Sequence, residues 1–341
     1  MKMLRHIQTR IVLLVLVGVI ALGVGAGLAF ASKKAAPIGT GVVVINTNLA
    51  YQGGAAAGTG MVLTSSGEIL TNNHVIRGAT KVTVIVPGTS RSYTATVVGY
   101  DAADDVAVLR AAGASNLATV TTSAARVAVG DRVKAVGNAG GTGALSTVGG
   151  SVTELQRSIV VSDDNGGAAR LTGLIGVNAE VVPGDSGGPL LNGAGSVIGM
   201  NTAGSTGYVS RSSTDSQAYA IPIVKALAIV RQIDGGKAST RIHIGATSFL
   251  GVQVSAAMRN GDFTTPGVVI AGVLRGSPAA AAGLAPGDVI TAMDGHATST
   301  STAITAAIVA KKVGSKVTLR VTDSSGASRS ATATLTSGPA Q

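Results

Sequence analysis

The sequence has no cysteine and no tryptophan among its 341 residues, and only three phenylalanines, five tyrosines and four histidines. Without cysteine there can be no disulfide framework, thiol nucleophile, zinc ribbon or iron–sulfur cluster. Four scattered histidines and three glutamates leave little material for a metal site, so neither a metal nor a cofactor is expected. Charge is sparse too: 12% of residues are charged against 45% hydrophobic, the composition of a globular rather than a disordered chain. The net charge of +10 invites a nucleic-acid reading, but Lys2, Arg5, Arg10, Lys33 and Lys34 place +5 of it in residues 1–34, where there is no acid. The rest is dispersed, and eight aromatics make no stacking platform, so no nucleic-acid partner is expected.

What the chain has in excess is glycine: 48 residues, about twice the usual share. That abundance suits a turn-rich β protein better than a helical bundle. Met1–Arg10 is a basic lead, and Ile11–Phe30 runs twenty residues without a charge, enough to span a bilayer. Ala29-Phe30-Ala31 ends the run with a small-x-small cleavage signature. Residues 1–34 are therefore read as a signal peptide or a membrane anchor. The rest is expected to work outside the cytoplasm, secreted or held at the membrane.

From Gly41 onward short β-rich runs alternate with Gly, Ser, Thr and Asn: Gly41–Asn46, Gly60–Thr64, Lys81–Val86, Tyr93–Tyr100, Val106–Arg110, Arg132–Val136 and Ser196–Asn201. Ile223–Ile233 is an amphipathic helix that stops at Asp234-Gly235-Gly236-Lys237. A second unit follows, reading strand (Phe249–Val254), strand (Gly267–Leu274), short helix (Pro278–Gly283), strand (Asp288–Met293), helix (Ser301–Lys312) and two closing strands. The expected organisation is a domain over 40–234, a linker over 235–246 and a smaller domain over 247–338.

Chemistry concentrates in Gly184-Asp185-Ser186-Gly187-Gly188-Pro189. A serine hydroxyl becomes a nucleophile when a base removes its proton and backbone N–H groups receive the oxyanion, and flanking glycines let the backbone aim those donors. The base follows by elimination. His6 lies in the export segment, and His243 and His296 lie in the linker and second unit, which leaves His74 at the end of a strand. Of the aspartates between the two, Asp105 directly precedes the strand Val106–Leu109 and can be carried beneath the imidazole. Asp104 is the alternative, and Asp101 and Asp104 otherwise read as solvated turn residues. The order His, Asp, Ser is that of the chymotrypsin template and not of subtilisin or the α/β-hydrolases. Order and β pattern agree on a mostly β fold, a double antiparallel β-barrel followed by an α+β domain.

Thr59-Gly60, Leu70–Val75, Val98–Leu109, Pro183–Leu190, Val197–Ala203 and Ala218–Pro222 resemble successive motifs of HtrA/DegP-type serine endopeptidases, which are trypsin-like. Phe249-Leu250-Gly251-Val252, Gly276–Ala279, Ala282-Gly283-Leu284 and Gly287–Ile290 are similar to a bacterial PDZ domain. The resemblance covers residues 40–338 and is closest to exported actinobacterial, mycobacterial PepA-like members. It implies that His74, Asp105 and Ser186 form a triad and that the N–H groups of Gly184 and Ser186 are the oxyanion donors. It also implies that Asn201, Thr202 and Ala203 bind substrate, and that Phe249, Leu250, Gly251 and Val252 receive C-terminal peptides as an added strand. Glu180, six residues before Ser186, is placed to reach the primary specificity pocket, although a plain surface glutamate is an equal reading. Unfolded or misfolded proteins are the implied substrates, and a homotrimer is the assembly common among members. A non-catalytic peptide-binding chaperone is the rival from another class, and an esterase is a weaker one.

Overall fold

The structure is a computed structural model that describes residues 36–89, 91–162, 168–202, 218–256 and 267–341. Residues 1–34, read above as a signal peptide or membrane anchor, and Ala203 lie outside these residues. No helix among the described residues is long and apolar enough to cross a membrane.

Two closed antiparallel barrels and a third, smaller sheet account for most of the strands. The first barrel comprises β1 (Val42–Leu49), β2 (Gly54–Val62), β3 (Glu68–Thr71), β4 (Lys81–Ile85), β5 (Ser92–Asp101) and β6 (Val106–Ala111). The sheet runs β5-β4-β1-β2-β3-β6 and closes through β5–β6 pairing. A single helical turn, α1 (Asn73–Ile76), follows β3. The second barrel comprises β7 (Arg132–Gly137), β8 (Ser146–Ser162), β9 (Ala168–Val177), β10 (Pro189–Leu191), β11 (Val197–Thr202) and β12 (Ala218–Pro222).

Alternation decides which side chains fill the barrel and which fill the seam between barrels. Ile69 and Leu109 are register partners inside the first barrel, packed with Val43, Ile45 and Val84. Their neighbours Leu70 and Val108, also partners, face outward to meet Val136, Met200 and Ile221 of the second barrel. Both faces of β3 and β6 are therefore buried, and β6 is apolar but for Arg110. Helix α2 (Ile223–Asp234) lays Ile223, Ala226, Ile229, Val230 and Ile233 on the same seam at helical spacing.

The stretch read as linker does more than connect. Its residues Ile242–Ile244 form β13, which pairs with β5 and places Ile242 opposite Asp101. The third sheet joins β15 (Val252–Ala256), β16 (Val268–Val273), β17 (Val289–Met293), β19 (Lys316–Thr322) and β20 (Ser328–Thr334), with β18 (His296–Ala297) beside β17. Two short strands, β14 (Thr247–Phe249) and β21 (Thr336–Gly338), pair with each other. Helix α4 (Ser301–Val309) caps the core with Ile304 and Ile308, and α3 (Pro278–Ala281) is capped by the Ser277 hydroxyl. The expected single strand Phe249–Val254 is broken at Gly251, whose φ of +84° turns the chain.

After β21 the chain returns to the first barrel. Ala340 is 5% exposed and packs in that barrel's core, while its carbonyl accepts the Gly78 N–H at 2.9 Å. Asn73 Nδ2 donates to the Gln341 carbonyl at 3.0 Å, and Phe249 stacks on Tyr51 with ring centroids 5.2 Å apart.

Candidate active site

The β3–α1 junction delivers His74 to the mouth of the seam with its side chain 40% exposed. Asp105 meets it from the turn between β5 and β6. Asp105 Oδ2 lies 2.8 Å from His74 Nδ1, and Oδ1 accepts the His74 backbone N–H at 2.9 Å. The Thr202 hydroxyl donates to Oδ2 at 3.2 Å, and Asn72 Nδ2 donates to the Asp105 carbonyl at 2.9 Å. Four hydrogen bonds therefore fix this one residue. An acid accepting at Nδ1 keeps the proton there and leaves the Nε2 lone pair directed away from the acid, the tautomer a general base needs.

Asp104, the alternative acid, points elsewhere: its carboxylate pairs with Lys225 at 2.7 Å and with Arg241. Asp101 is not the solvated turn residue the sequence suggests. It is 2% exposed, and its Oδ1 accepts the N–H groups of Ala103 and Asp104 at 3.0 Å each. Burial raises its pKa, the backbone donors and Arg241 working against that rise.

Ser186 is 4% exposed, on the loop leading into β10. Thr59 holds that loop against the His74 strand. Its N–H donates to the Ser186 carbonyl at 2.8 Å, its hydroxyl donates to the Gly184 carbonyl at 2.7 Å, and its own carbonyl accepts the Thr71 hydroxyl at 2.7 Å. The Gly187 N–H bonds the Asn201 carbonyl at 2.9 Å, next to the Thr202 that holds Asp105. The loop is thus tied to both flanks of the His74–Asp105 pair.

Glycine is required at 184. Its φ is +100°, and a Cβ there would fall on the Asn138 carbonyl oxygen. The Pro183 carbonyl is taken by the Gly140 N–H at 2.8 Å. In a trans peptide the Gly184 N–H points the opposite way, and it makes no described hydrogen bond. The glycine-rich stretch Gly137–Gly143 thereby becomes the support for this peptide.

The remaining candidates fall into two groups. Asn201 and Thr202 are 1% and 2% exposed, and their side chains are held inside the protein. Asn201 Nδ2 donates to the Pro189 carbonyl at 3.2 Å, and Thr202 serves Asp105. Glu180 is exposed on the loop after β9. In the third sheet, Phe249, Leu250, Gly251 and Val252 do line one groove, facing Ile304 and Ile308 of α4. The N–H groups of Leu250 and Gly251 bond no other described residue. Among the described residues no group of three His, Asp or Glu side chains is placed to hold a metal ion. Thr59 and Asn72 stand in the quoted motifs without a role assigned to them, and Asn138 was not singled out; its local signal is an asparagine before a glycine run.

Residues 58–200 match the model of a trypsin-like peptidase domain and residues 248–329 that of a PDZ domain, so the chain is of the trypsin-like-peptidase-plus-PDZ class. It is 36% identical over 252 residues to the putative serine protease HhoA of Synechocystis, covering 71% of this chain and 61% of HhoA. It is 34% identical over 319 residues to the serine protease PepD of Mycobacterium tuberculosis, covering 89% of this chain and 65% of PepD. A solved structure of the HtrA-type protease AlgW with a tripeptide aligns at 30% identity over 87% of this chain and 93% of that one, with a TM-score of 0.48. The chain belongs to the HtrA/DegP-type serine proteases. It spans about half to two thirds of the length of the curated relatives it matches.

Proposed function

We propose that this chain is an exported serine endopeptidase that cleaves unfolded or damaged proteins, with a peptidase domain over 40–234, a linker over 235–246 and a PDZ domain over 247–338. The observation that carries the reading is the 2.8 Å His74 Nδ1–Asp105 Oδ2 contact, with Asp105 fixed by three further hydrogen bonds. His74 Nε2 takes the Ser186 proton as Oγ attacks the peptide carbonyl. Asp105 stabilises the imidazolium, which then protonates the leaving amine. The N–H groups of Gly184 and Ser186 receive the tetrahedral oxyanion before water releases the acyl-enzyme. The PDZ groove takes an extended C-terminal peptide beside β15, with the Leu250 and Gly251 N–H groups as carboxylate donors. Its substrates are extracytoplasmic, which agrees with the periplasmic relative of Chlamydia muridarum. The N-terminal segment is its signal or anchor, and a homotrimer is the assembly the resemblance implies.

The test is casein cleavage by the protein beginning at Ala35 beside its Ser186→Ala variant. Turnover in the first and a loss of about 10⁶ in the second are expected. Silence in both, persisting with added C-terminal peptides, would replace this reading with that of a peptide-binding scaffold.

A further inference from the structure

The turn that delivers Asp105 is held from outside its own barrel. Asp105 has a φ of +56°, a left-handed backbone that is unfavourable for a residue with a Cβ and persists only where neighbours hold it. Immediately before it, Asp104 offers one carboxylate oxygen to Lys225 Nζ at 2.7 Å and the other to the Arg241 guanidinium. Neither cation belongs to the first barrel. Lys225 stands on α2 and also donates to the Thr172 carbonyl of β9 at 3.0 Å. Arg241 directly precedes β13 and comes within 3.5 Å of Asp101 Oδ2.

Three carboxylates, Asp101, Asp104 and Asp105, crowd into five consecutive residues. Their mutual repulsion works against the turn, and a cation beside it offsets that repulsion. A single exposed ion pair is worth little. Here two cations from two elements converge on a carboxylate that is only 15% exposed, so the Asp104 side chain has one position and the peptide after it one orientation.

We propose that Lys225 and Arg241, acting through Asp104, are positioning residues for Asp105: they hold the left-handed turn from which its carboxylate reaches His74. The proposal rests on the reading of Asp105 as the triad's acid. It makes α2 and the strand leading to the PDZ domain part of the device that sets the catalytic hydrogen bond.

Two readouts test it in the full chain. The first is the low-field ¹H signal of the His74 Nδ1 proton, which reports the bond to Asp105 whether or not the protein turns over. The second is the split between kcat and KM on an unfolded substrate. In Asp104→Asn and in the Lys225→Met/Arg241→Ala double variant, the low-field proton is expected to vanish through solvent exchange. Their kcat should fall about tenfold to a hundredfold with KM within about twofold of the parent. Arg241→Ala alone should weaken the signal, and Arg241→Lys should restore it. A parent-like proton signal in the folded double variant overturns the proposal whatever the activity. If circular dichroism shows the double variant unfolded, a parent-like signal and kcat in Arg241→Ala overturn it instead. Loss of the proton in these variants of a parent that shows it yet cleaves nothing would uphold the positioning role and sink the protease reading, so the two failures are distinguishable.

Discussion

Asp185 is the residue whose chemistry is least expected beside a nucleophile. It is 2% exposed; Oδ2 accepts the Val182 N–H at 3.0 Å, while Oδ1 is buried with no partner among the described residues. Burial raises its pKa above the ordinary 3.8, only partly offset by the Val182 N–H. Below that ordinary value the carboxyl is neutral in both folded and unfolded chains and costs nothing. As pH climbs toward the folded value the unfolded chain ionises first, so stability falls, and the loss is complete above the folded value. Asp185→Asn removes that loss and keeps an oxygen for Val182. Its Tm should exceed the parent's at pH 7 and match it near pH 3. A scanning calorimetry series across pH checks this; an equal gain at both ends would mean that charge is not the cause. The residues legible in the sequence were those whose role is local or exclusive: Ser186 in its glycine-rich hexapeptide, His74 as the only histidine left, Asp105 at the head of an apolar strand. Thr202, Asn72 and Thr59 were not legible in these roles, because each acts through a neighbour brought near only by barrel closure.

At the scale of elements, strand β2 shows how a weak sequence becomes a strand. Gly54–Val62 reads GAAAGTGMV, with little β propensity, yet it pairs with β1 along its whole length from Val42↔Met61 to Leu49↔Gly54. Its glycines make room. A Cβ at Gly58 would come within 2.6 Å of Val75 Cγ1, on the helical turn that carries His74. Gly58→Ala should therefore cost about 1–3 kcal/mol in urea unfolding, and adding Val75→Ala should recover part of that cost. Strict additivity of the two would show that they do not share the space. Strand β8 was illegible for a related reason. Its 17 residues carry register shifts at Val152, Glu154 and Arg157 and a left-handed Gln156 at φ +56°, which destroy the period-2 pattern on which strand reading depends. The helix Ile223–Ile233, with its apolar face and glycine stop, was plain, and the structure extends it by one residue, to Asp234.

Across the whole described molecule, the barrel that carries His74 and Asp105 is finished by residues far along the chain: β13 at its edge, Phe249 on Tyr51 and Ala340 in its core. Replacing Ala340 by aspartate puts an unpaired charge where the methyl is buried, and the segment should leave its seat rather than bury it. Hydrogen exchange should then quicken across 73–78 while strands β16, β17 and β19 keep their protection. Unchanged exchange at 73–78 would mean the seat contributes nothing to the His74 turn. None of this was legible, because the tail Pro339-Ala340-Gln341 has no periodicity and its partners lie hundreds of residues away.

That tail also sets an order of events. The bond from Asn73 to Gln341 spans 268 positions, so it cannot form until residues 74–340 have been made. Until residue 341 has emerged, the first barrel waits with its 73–78 edge unsealed. A newly made chain thus has both barrels in hand before the segment bearing His74 receives this brace, and the interval is set by synthesis rather than by the protein.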